Sequence, residues 1–329
     1  MKAIVIEKFG GPESLVIKDV PKPEPKVGEV VIKIKAFGIN HAEMHMRKGE
    51  WAEWVPISGI ECVGVVEACP GGEFDKGTPV AALMGGLGRT ISGSYAEYTR
   101  VRAGNVVPLG LAVSSRLGWD QLAAIPESYA TAWTCLFRNL GLQNGQKLLI
   151  RGATSAFGQA ALNLAVEKGA HVVATTRRQE RFALLKSQGA EGVEIEGPDL
   201  SERVQEKEKK KFDAVLDLIG NTTILDSLKI VHRDGRVCLA GFLGGLAPIH
   251  EFDPLVQMAS GVHFSFFGSF VFGTPEFPLS DVPMQSIVEM VADKKFEANP
   301  SRVFKFEEIR EAHRVMEAGE ANGKMVVVV

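Results

Sequence analysis

The fold of this chain is signalled most clearly by Lys147-Leu-Leu-Ile-Arg-Gly152-Ala-Thr-Ser155-Ala-Phe-Gly158-Gln-Ala-Ala-Leu162. A buried strand runs into a turn of small residues, and the turn leads into an alanine-rich helix. Free backbone N–H groups and the positive end of the helix face phosphate groups in such a unit. The stretch therefore predicts a strand–turn–helix unit that holds the pyrophosphate of a dinucleotide.

The turn departs from the pattern G-x-G-x-x-G, because it reads Gly152-x-x-Ser155-x-x-Gly158. Ser155 stands where a middle glycine would let the backbone approach the phosphates, and this favours weak or altered cofactor binding. Taken alone, the pattern is also typical of an ordinary turn between a strand and a helix. In its context it predicts that Ser155, Ala156 and Phe157 contact the cofactor.

The next strand, Val172–Thr176, ends in the pair Arg177-Arg178. At this place an NAD site requires a carboxylate for the ribose 2′-hydroxyl, whereas arginines suit the additional 2′-phosphate of NADP. With Arg181, three cations lie at the start of a predicted helix, where they oppose the helix dipole unless an anion is bound. A solvated helix start is the alternative. We predict NADPH as the cofactor.

Composition limits the remaining possibilities. The chain has 329 residues, enough for two domains, with 45% hydrophobic residues and a net charge of −3, so we expect neither a nucleic-acid partner nor an anionic membrane partner. Neither a bilayer-spanning apolar run nor a signal peptide is recognisable. The four cysteines form no C-x-x-C pair, which indicates reduced thiols and a cytoplasmic protein.

Periodicity predicts the domain organisation. The first 119 residues are rich in β-strands; the predicted strands are Lys2–Ile6, Glu29–Phe37, Ser58–Ala68 and Gly93–Arg102. Strands then alternate with helices, and this alternation predicts a doubly wound parallel sheet in an α/β fold. The predicted strands of this sheet are Lys147–Arg151, His171–Thr176, Gly192–Ile195, Asp213–Asp217, Arg236–Ala240 and Val262–Phe267, with helices at Gly158–Lys168, Glu180–Gln188 and Thr223–Ile230.

The last residues break this alternation. Met284–Lys294 and Glu307–Ala318 have helical periodicity, and Val303–Phe306 and Met325–Val329 are predicted strands. A terminal run of valines needs a partner strand, which we expect in the N-terminal β domain. The predicted domains are therefore 1–119, completed by 273–329, and 120–272.

In these features the chain resembles the medium-chain dehydrogenase/reductase superfamily, and within it the zinc-free NADPH:quinone oxidoreductase branch. The resemblance covers essentially the whole chain. Besides the phosphate turn, the motifs that carry it are Gly38-Ile-Asn40, Arg47-Lys-Gly49, Pro56-Ile-Ser-Gly59-Ile-Glu61-Cys-Val-Gly64, Gly77-Thr-Pro-Val80, Gly93-Ser-Tyr-Ala-Glu-Tyr98, Asp217-Leu-Ile-Gly220, Gly235-Arg-Val-Cys-Leu-Ala-Gly241 and Asn322-Gly-Lys324-Met-Val-Val.

The resemblance implies a GroES-like catalytic domain, discontinuous in sequence, and a Rossmann NADPH-binding domain, with the active site in the cleft between them. It also implies a homodimer formed through the last Rossmann strand. The zinc-dependent branch has a cysteine at or beside the position of Asn40 and a histidine at the position of Ile60, so we expect no metal.

The resemblance further implies individual site residues. Asn40 would lie beside the nicotinamide, where its amide could donate to a developing enolate or to the ribose; the alternative is an asparagine that stabilises a turn. Thr131 would contact the nicotinamide carboxamide, unless it is only a helix-face threonine. Arg181 would contact the adenosine phosphate, and Gly241-Phe242 would let the cofactor lie across the sheet edge.

The substrate is then an activated alkene or a quinone, which accepts hydride without a metal. Tyr129 is a candidate proton donor, and water is the alternative. Related enoyl-thioester reductases have a donor tyrosine where this chain has Trp51, which argues against that activity. We expect NADPH-dependent reduction of quinones or α,β-unsaturated carbonyl compounds. The alternatives are reduction of a 2-alkenal or an acyl-thioester, or a non-catalytic NADPH-binding redox sensor.

Overall fold

The computed structural model describes residues 1–110, 114–208 and 210–329. The chain forms two compact units, one made of Met1–Ala130 and Ser269–Val329 and the other of Thr131–Gly268. One unit is built on mainly antiparallel strands and the other on a parallel sheet, so the predicted fold class is confirmed. Among the described helices, none has the length and apolar character needed to span a bilayer.

The described strands are, in chain order, β1 Lys2–Ile6, β2 Leu15–Asp19, β3 Glu29–Ile39, β4 Glu61–Ala68, β5 Pro79–Leu83, β6 Tyr98–Arg102, β7 Val106–Pro108, β8 Lys147–Arg151, β9 His171–Thr176, β10 Gly192–Ile195, β11 Phe212–Asp217, β12 Val231–Leu239, β13 His263–Phe266, β14 Arg302–Lys305 and β15 Met325–Val328. The described α-helices are α1 His41–Lys48, α2 Trp119–Ala123, α3 Pro126–Thr134, α4 Ala156–Glu167, α5 Phe182–Ser187, α6 Leu200–Lys207, α7 Ile224–Ser227, α8 Pro254–Gln257, α9 Met284–Ala292 and α10 Ile309–Glu317.

The first unit contains a seven-stranded sheet in the order β14-β15-β3-β4-β5-β7, with β6 also paired to β3. The terminal strand β15 runs antiparallel to β3 from Met325 opposite Ile39 to Val328 opposite Ala36. This is the partner that the sequence predicts for the terminal valines. Most of β3 is buried, and the exposed Lys33 and the half-buried Lys35 are the charged residues inside its apolar sequence.

The helix α10 closes one side of this unit. Its buried residues, which follow helical spacing, are Ile309, Ala312, His313, Val315 and Met316. The predicted helix over Glu307–Ala318 thus begins two residues later as an α-helix, because Phe306–Glu308 forms a 3₁₀ turn. His313 lies on the buried face and bonds to Tyr95, with 3.0 Å between the hydroxyl and Nε2.

The second unit contains a six-stranded parallel sheet in the order β10-β9-β8-β11-β12-β13. The chain reverses its direction of travel across the sheet between β8 and β11, and this switch point is where doubly wound folds bind ligands at the carboxyl ends of the strands. The bounds of β8, β9 and β10 are those predicted, since each strand is short and bracketed by turns.

Several predicted elements differ from the structure in their bounds. The predicted strand Ser58–Ala68 begins only at Glu61, because Gly59 adopts a positive φ of 101° that interrupts extended backbone. The predicted strand Gly93–Arg102 begins at Tyr98. Its first part passes over Ser58 so closely that a Cβ on Gly93 would lie 2.2 Å from the Ser58 carbonyl oxygen.

The boundaries between the two units lie at 130/131 and 268/269, whereas the sequence predicts domain boundaries at 119/120 and 272/273. Residues 120–130 and 269–272 therefore belong to the first unit. Polar contacts account for this: the Glu127 amide donates to Glu61, Gln121 donates to Asn299, and Asn105 donates to the Phe272 carbonyl. A change from β-rich to helical sequence near residue 119 therefore did not coincide with the boundary of the compact unit.

We predict that Tyr95→Phe destabilises the first unit. The buried His313 loses its partner at Nε2, which costs about 1–3 kcal/mol. Burial lowers the pKa of His313 to about 3, so the ring is neutral at pH 7 and gains nothing from protonation. Urea unfolding measures the loss. The control Tyr98→Phe, at a half-buried ring, should change stability by less than about 0.5 kcal/mol. Equal effects of both substitutions would contradict the assignment.

Candidate functional site

The predicted phosphate turn joins β8 to α4 in the second unit. The Ser155 hydroxyl caps the helix by accepting from the Gly158 amide at 3.0 Å, and it donates to the Gly152 carbonyl at 2.9 Å. Ser155 therefore closes the turn with its side chain. A Cβ on Gly158 would lie 2.6 Å from the Gly152 carbonyl oxygen, so the close packing of helix on strand requires glycine there.

Two amides of this turn are left for a ligand. Within the described residues, the backbone N–H groups of Ala156 and Phe157 make no hydrogen bond, and both residues are only half-buried. The first amides of a helix have no partner within it, and they bind anions together with the helix dipole. The turn that the sequence singles out thus has the donors that a pyrophosphate needs.

A buried ionic network fixes this turn against its neighbours. Arg151, at the end of β8, is 1% exposed and contacts Glu196 at 2.5 Å and Asp226 at 2.8 Å. The Thr175 hydroxyl donates to the same Glu196 at 2.6 Å and accepts from the Gly152 amide at 3.0 Å. The backbone of the turn is therefore attached to β9, and the guanidinium of Arg151 is paired with two carboxylates.

The three predicted phosphate ligands differ from Arg151 in this respect. Arg177 and Arg178 are exposed directly after β9, and Arg181 is half-buried in the following 3₁₀ turn. In the part of the chain that the structure describes, none of the three guanidinium groups has an ion-pair or hydrogen-bond partner. Since β8 and β9 are parallel neighbours, these cations lie at the same sheet edge as the turn.

Gly241 and Phe242 lie at this edge too, because they follow β12. A Cβ on Gly241 would lie 2.6 Å from the Leu218 carbonyl oxygen, so only glycine fits between the ends of β11 and β12. The Phe242 ring is half-buried and lies 6.2 Å from the Phe266 ring between centroids. The predicted cofactor residues of the second unit, apart from Thr131, thus follow three strands of one sheet, β8, β9 and β12.

Two other predicted residues occur in α3. Tyr129 belongs to the first unit and is 3% exposed, with its ring stacked on Phe296 at 5.9 Å between centroids. Thr131 is the first residue of the second unit and is also 3% exposed. The proton-donor role of Tyr129 and the carboxamide contact of Thr131 stay predictions.

Asn40, at the end of β3 in the first unit, is held by charged residues that the sequence did not identify as functional. Its Oδ1 accepts from Lys324 Nζ at 2.6 Å, and its Nδ2 donates to Glu61 Oε1 at 2.9 Å. Lys324 and Glu61 also form an ion pair at 2.5 Å, and their side chains are 5% and 0% exposed. The side-chain amide of Asn40 therefore has a fixed orientation, and its role beside the nicotinamide stays a prediction.

The ends of three neighbouring strands bring these side chains together. Asn40 follows β3, Glu61 begins β4, and Lys324 precedes β15, on either side of β3 in the sheet. A Cβ on Gly38 would lie 2.3 Å from Glu61 Oε1 and 2.5 Å from Lys324 Cε, so the ion pair occupies the space above this glycine. The one sequence signal was a lysine directly before the apolar terminal run Met325–Val329.

A second buried carboxyl adjoins this group. Glu43 of α1 accepts from the backbone N–H of Asn40 at 2.8 Å and from the backbone N–H of Ile60 at 3.1 Å, and it is 0% exposed. Burial raises the pKa of Glu43 to about 7, with the nearby Glu61 adding to the shift and the backbone donors and Lys324 opposing it. Glu43 therefore changes its charge near neutral pH.

The buried carboxylates Glu43 and Glu61 do not belong to a cluster of metal ligands among the described residues. Within the described ranges, no group of three or more histidine, cysteine, aspartate or glutamate side chains is arranged to hold a metal ion. The positions that the resemblance assigns to zinc ligands are Asn40 and Ile60, whose side chains are an amide and a hydrocarbon.

The chain is similar to known dehydrogenases and quinone oxidoreductases. Residues 26–110 match the family model "Alcohol dehydrogenase GroES-like domain", and residues 168–327 match "Zinc-binding dehydrogenase". A quinone oxidoreductase of Sus scrofa is 32% identical over 274 residues, which cover 79% of this chain and 78% of the pig protein. The Homo sapiens quinone oxidoreductase is 28% identical over 340 residues, with 100% and 98% covered.

Among solved structures, an NAD-dependent alcohol dehydrogenase matches with a TM-score of 0.83 and 28% identity, and the match covers 100% of both chains. The family matches and this likeness include both compact units.

We predict that Glu43→Gln removes a pH-dependent part of the stability. A carboxyl whose folded pKa is raised stabilises the fold below its ordinary pKa of 4.5, and this contribution is lost as the pH rises to about 7. Between these two pKa values, the free energy of unfolding falls by up to about 1.4 kcal/mol per pH unit. Unfolding midpoints between pH 5 and pH 8 measure it. Glu307→Gln, at an exposed residue, is the control. An unchanged profile in Glu43→Gln would contradict the assignment.

Proposed function

The chain belongs to the medium-chain dehydrogenase/reductase superfamily, in its quinone oxidoreductase branch, and from this we propose that it is an NADPH-dependent, zinc-independent reductase of quinones or α,β-unsaturated carbonyl compounds. Membership makes it an oxidoreductase with a nicotinamide cofactor. The choice of NADPH, the substrate class and the role of each residue are our proposals.

The residues of the second unit fit a phosphorylated dinucleotide. The free amides of Ala156 and Phe157 would bind the pyrophosphate at the start of α4, and Ser155 would keep the turn closed. Gly241 and Phe242 would leave room at the end of β12 for the cofactor to lie across the sheet edge. Thr131 would bond to the carboxamide. When bound, the nicotinamide supplies the hydride that reduces the substrate.

The observation that carries the choice of NADPH is the unpaired arginine group beside the turn. Arg151 shows that this unit pairs an arginine with carboxylates where the charge serves the fold. Arg177 and Arg178 have no such partner among the described residues, and no carboxylate occupies the place that a ribose 2′-hydroxyl would need. Guanidinium groups bind phosphate through paired, charge-assisted hydrogen bonds. Arg181 would add a third charge.

In the first unit, we assign Asn40 the role of hydrogen-bond donor to the substrate carbonyl oxygen. Hydride addition to an electron-poor carbon places negative charge on that oxygen, and a fixed donor stabilises it without a metal. The proton that completes the reaction would come from Tyr129 or from water.

Two other functions remain in consideration. A 2-alkenal or acyl-thioester reductase would use the same donors on another activated double bond. A non-catalytic NADPH-binding redox sensor would use only the second unit, and the serine in the phosphate turn favours it slightly, since it departs from the glycine pattern.

We further propose a homodimer formed through β13. This strand is the last in its sheet, its outer edge has no partner strand among the described residues, and Phe266 on it is 50% exposed. An open apolar edge favours pairing with a second copy over exposure to water. We place the protein in the cytoplasm, because its four cysteines are free thiols.

We predict that the double variant Arg177→Ala/Arg178→Ala weakens NADPH binding about a hundredfold, because two charge-assisted contacts to the phosphate are lost. NADH binding, which involves no such phosphate, should change less than threefold. Fluorescence titration with both cofactors measures the two affinities. Arg233→Ala, at an exposed arginine of the same unit, is the control. Equal losses for both cofactors would contradict the phosphate contact.

A substrate panel tests the activity itself. We predict NADPH oxidation with quinones or enones that persists after treatment with a strong zinc chelator, because no step of the proposed reaction uses zinc. Faster turnover of 2-alkenals or acyl-thioesters would favour the alternative enzyme. Tight NADPH binding without turnover of any compound would favour the sensor, and loss of turnover on chelation would contradict the zinc-independent reaction.

A further inference from the structure

The Asn40 amide is bonded to two groups of opposite hydrogen-bonding character. A lysine ammonium can only donate, and an ionised carboxylate can only accept. Lys324 therefore requires the oxygen of the amide, and Glu61 requires its nitrogen. A flipped amide would bring its NH₂ group against the ammonium and its oxygen against the carboxylate, so only one of the two orientations is compatible with the pair.

The orientation leaves one N–H of the side-chain amide with only a long, weak hydrogen bond. Nδ2 carries two hydrogens, and one of them is bonded to Glu61 at 2.9 Å. The nearest acceptor for the other is Glu43 Oε1 at 3.5 Å, which is the limit for a hydrogen bond. Asn40 is half-buried although its two charged partners are buried, so it is the member of this group that is open to solvent and to a ligand.

We propose that Lys324 and Glu61 are positioning residues that hold the Asn40 amide in the orientation in which its second N–H is offered to the substrate oxygen. This inference rests on the proposed function, because it assigns Asn40 the contact with the substrate. Lys324 and Glu61 themselves act only through Asn40.

The construction of the pair supports a role beyond folding. Two buried charges lose their hydration, and apolar side chains of the same size commonly stabilise a fold as well or better. Here the pair is further supported by the Glu127 amide, which donates to Glu61 Oε2 at 2.8 Å, and by Gly38, whose missing side chain makes room for it. Several features thus keep the two charges in position next to one amide.

The test uses a double variant that removes both charges together. Glu61→Gln/Lys324→Met removes both charges of the ion pair together, so neither partner is left as an unpaired buried charge and the fold should persist. The amide loses the cation and the anion that dictate its orientation, because a glutamine can either donate or accept. We expect kcat to fall about tenfold or more with KM and the Kd of NADPH within threefold of wild type. The matched control is Glu67→Gln/Lys22→Met, which removes an exposed ion pair of the same unit and should change none of these values.

Asn40→Ala separates the inference from the function on which it rests. If Asn40→Ala lowers kcat and the double variant does not, the positioning role is overturned while the role of Asn40 stands. If Asn40→Ala leaves kcat unchanged, the proposed contact with the substrate is wrong, and the positioning role falls with it.

A measurement on the unmodified chain covers the case in which the double variant does not fold. In protein labelled with ¹⁵N-asparagine, the two Nδ2 protons of Asn40 should give separate signals, identified by their loss in Asn40→Ala. One should exchange slowly because it is bonded to Glu61, and the other should shift when an unreactive ketone is added as a substrate mimic. Averaged or equally exchanging signals would overturn the proposal.

Discussion

The pairing of β15 with β3 is the contact on which the first unit depends. It joins the last residues of the chain to a strand near its beginning, so that two distant segments share one sheet. The same register places Lys324 beside Asn40, with 2.6 Å between the ammonium and the amide oxygen. Without this pairing, the fold would lose an interior strand and the amide would lose its cationic partner.

Both units contain buried, paired charges, and the second unit also has exposed arginines without a partner among the described residues. In the first, Glu61 and Lys324 are buried and satisfied by one another, which gives a neighbouring amide a fixed direction. In the second, Arg151 is satisfied inside the sheet edge, whereas Arg177 and Arg178 are exposed without partners among the described residues. Unsatisfied cations beside free helix amides indicate a ligand with several negative charges, which is the chemistry of a phosphorylated dinucleotide.

Local sequence features predicted the strands of the second unit closely and the charged partners of Asn40 in the first unit poorly. The bounds of β8 and β9 could be found because buried parallel strands are apolar throughout and end in turn residues. The partners of Asn40 could not be found in this way, since Lys324 lies 284 positions from it and no local pattern encodes that contact. The hydroxyl role of Ser155, as a helix cap that replaces a glycine, also became evident only from its bonds to Gly152 and Gly158.

A crystal structure of the chain with NADPH bound is the most direct test of the account. We predict that the adenosine 2′-phosphate contacts the guanidinium groups of Arg177 and Arg178, and that the pyrophosphate accepts from the amides of Ala156 and Phe157. A bound cofactor whose 2′-phosphate lies in solvent, with both arginines turned away from it, would contradict the central claim.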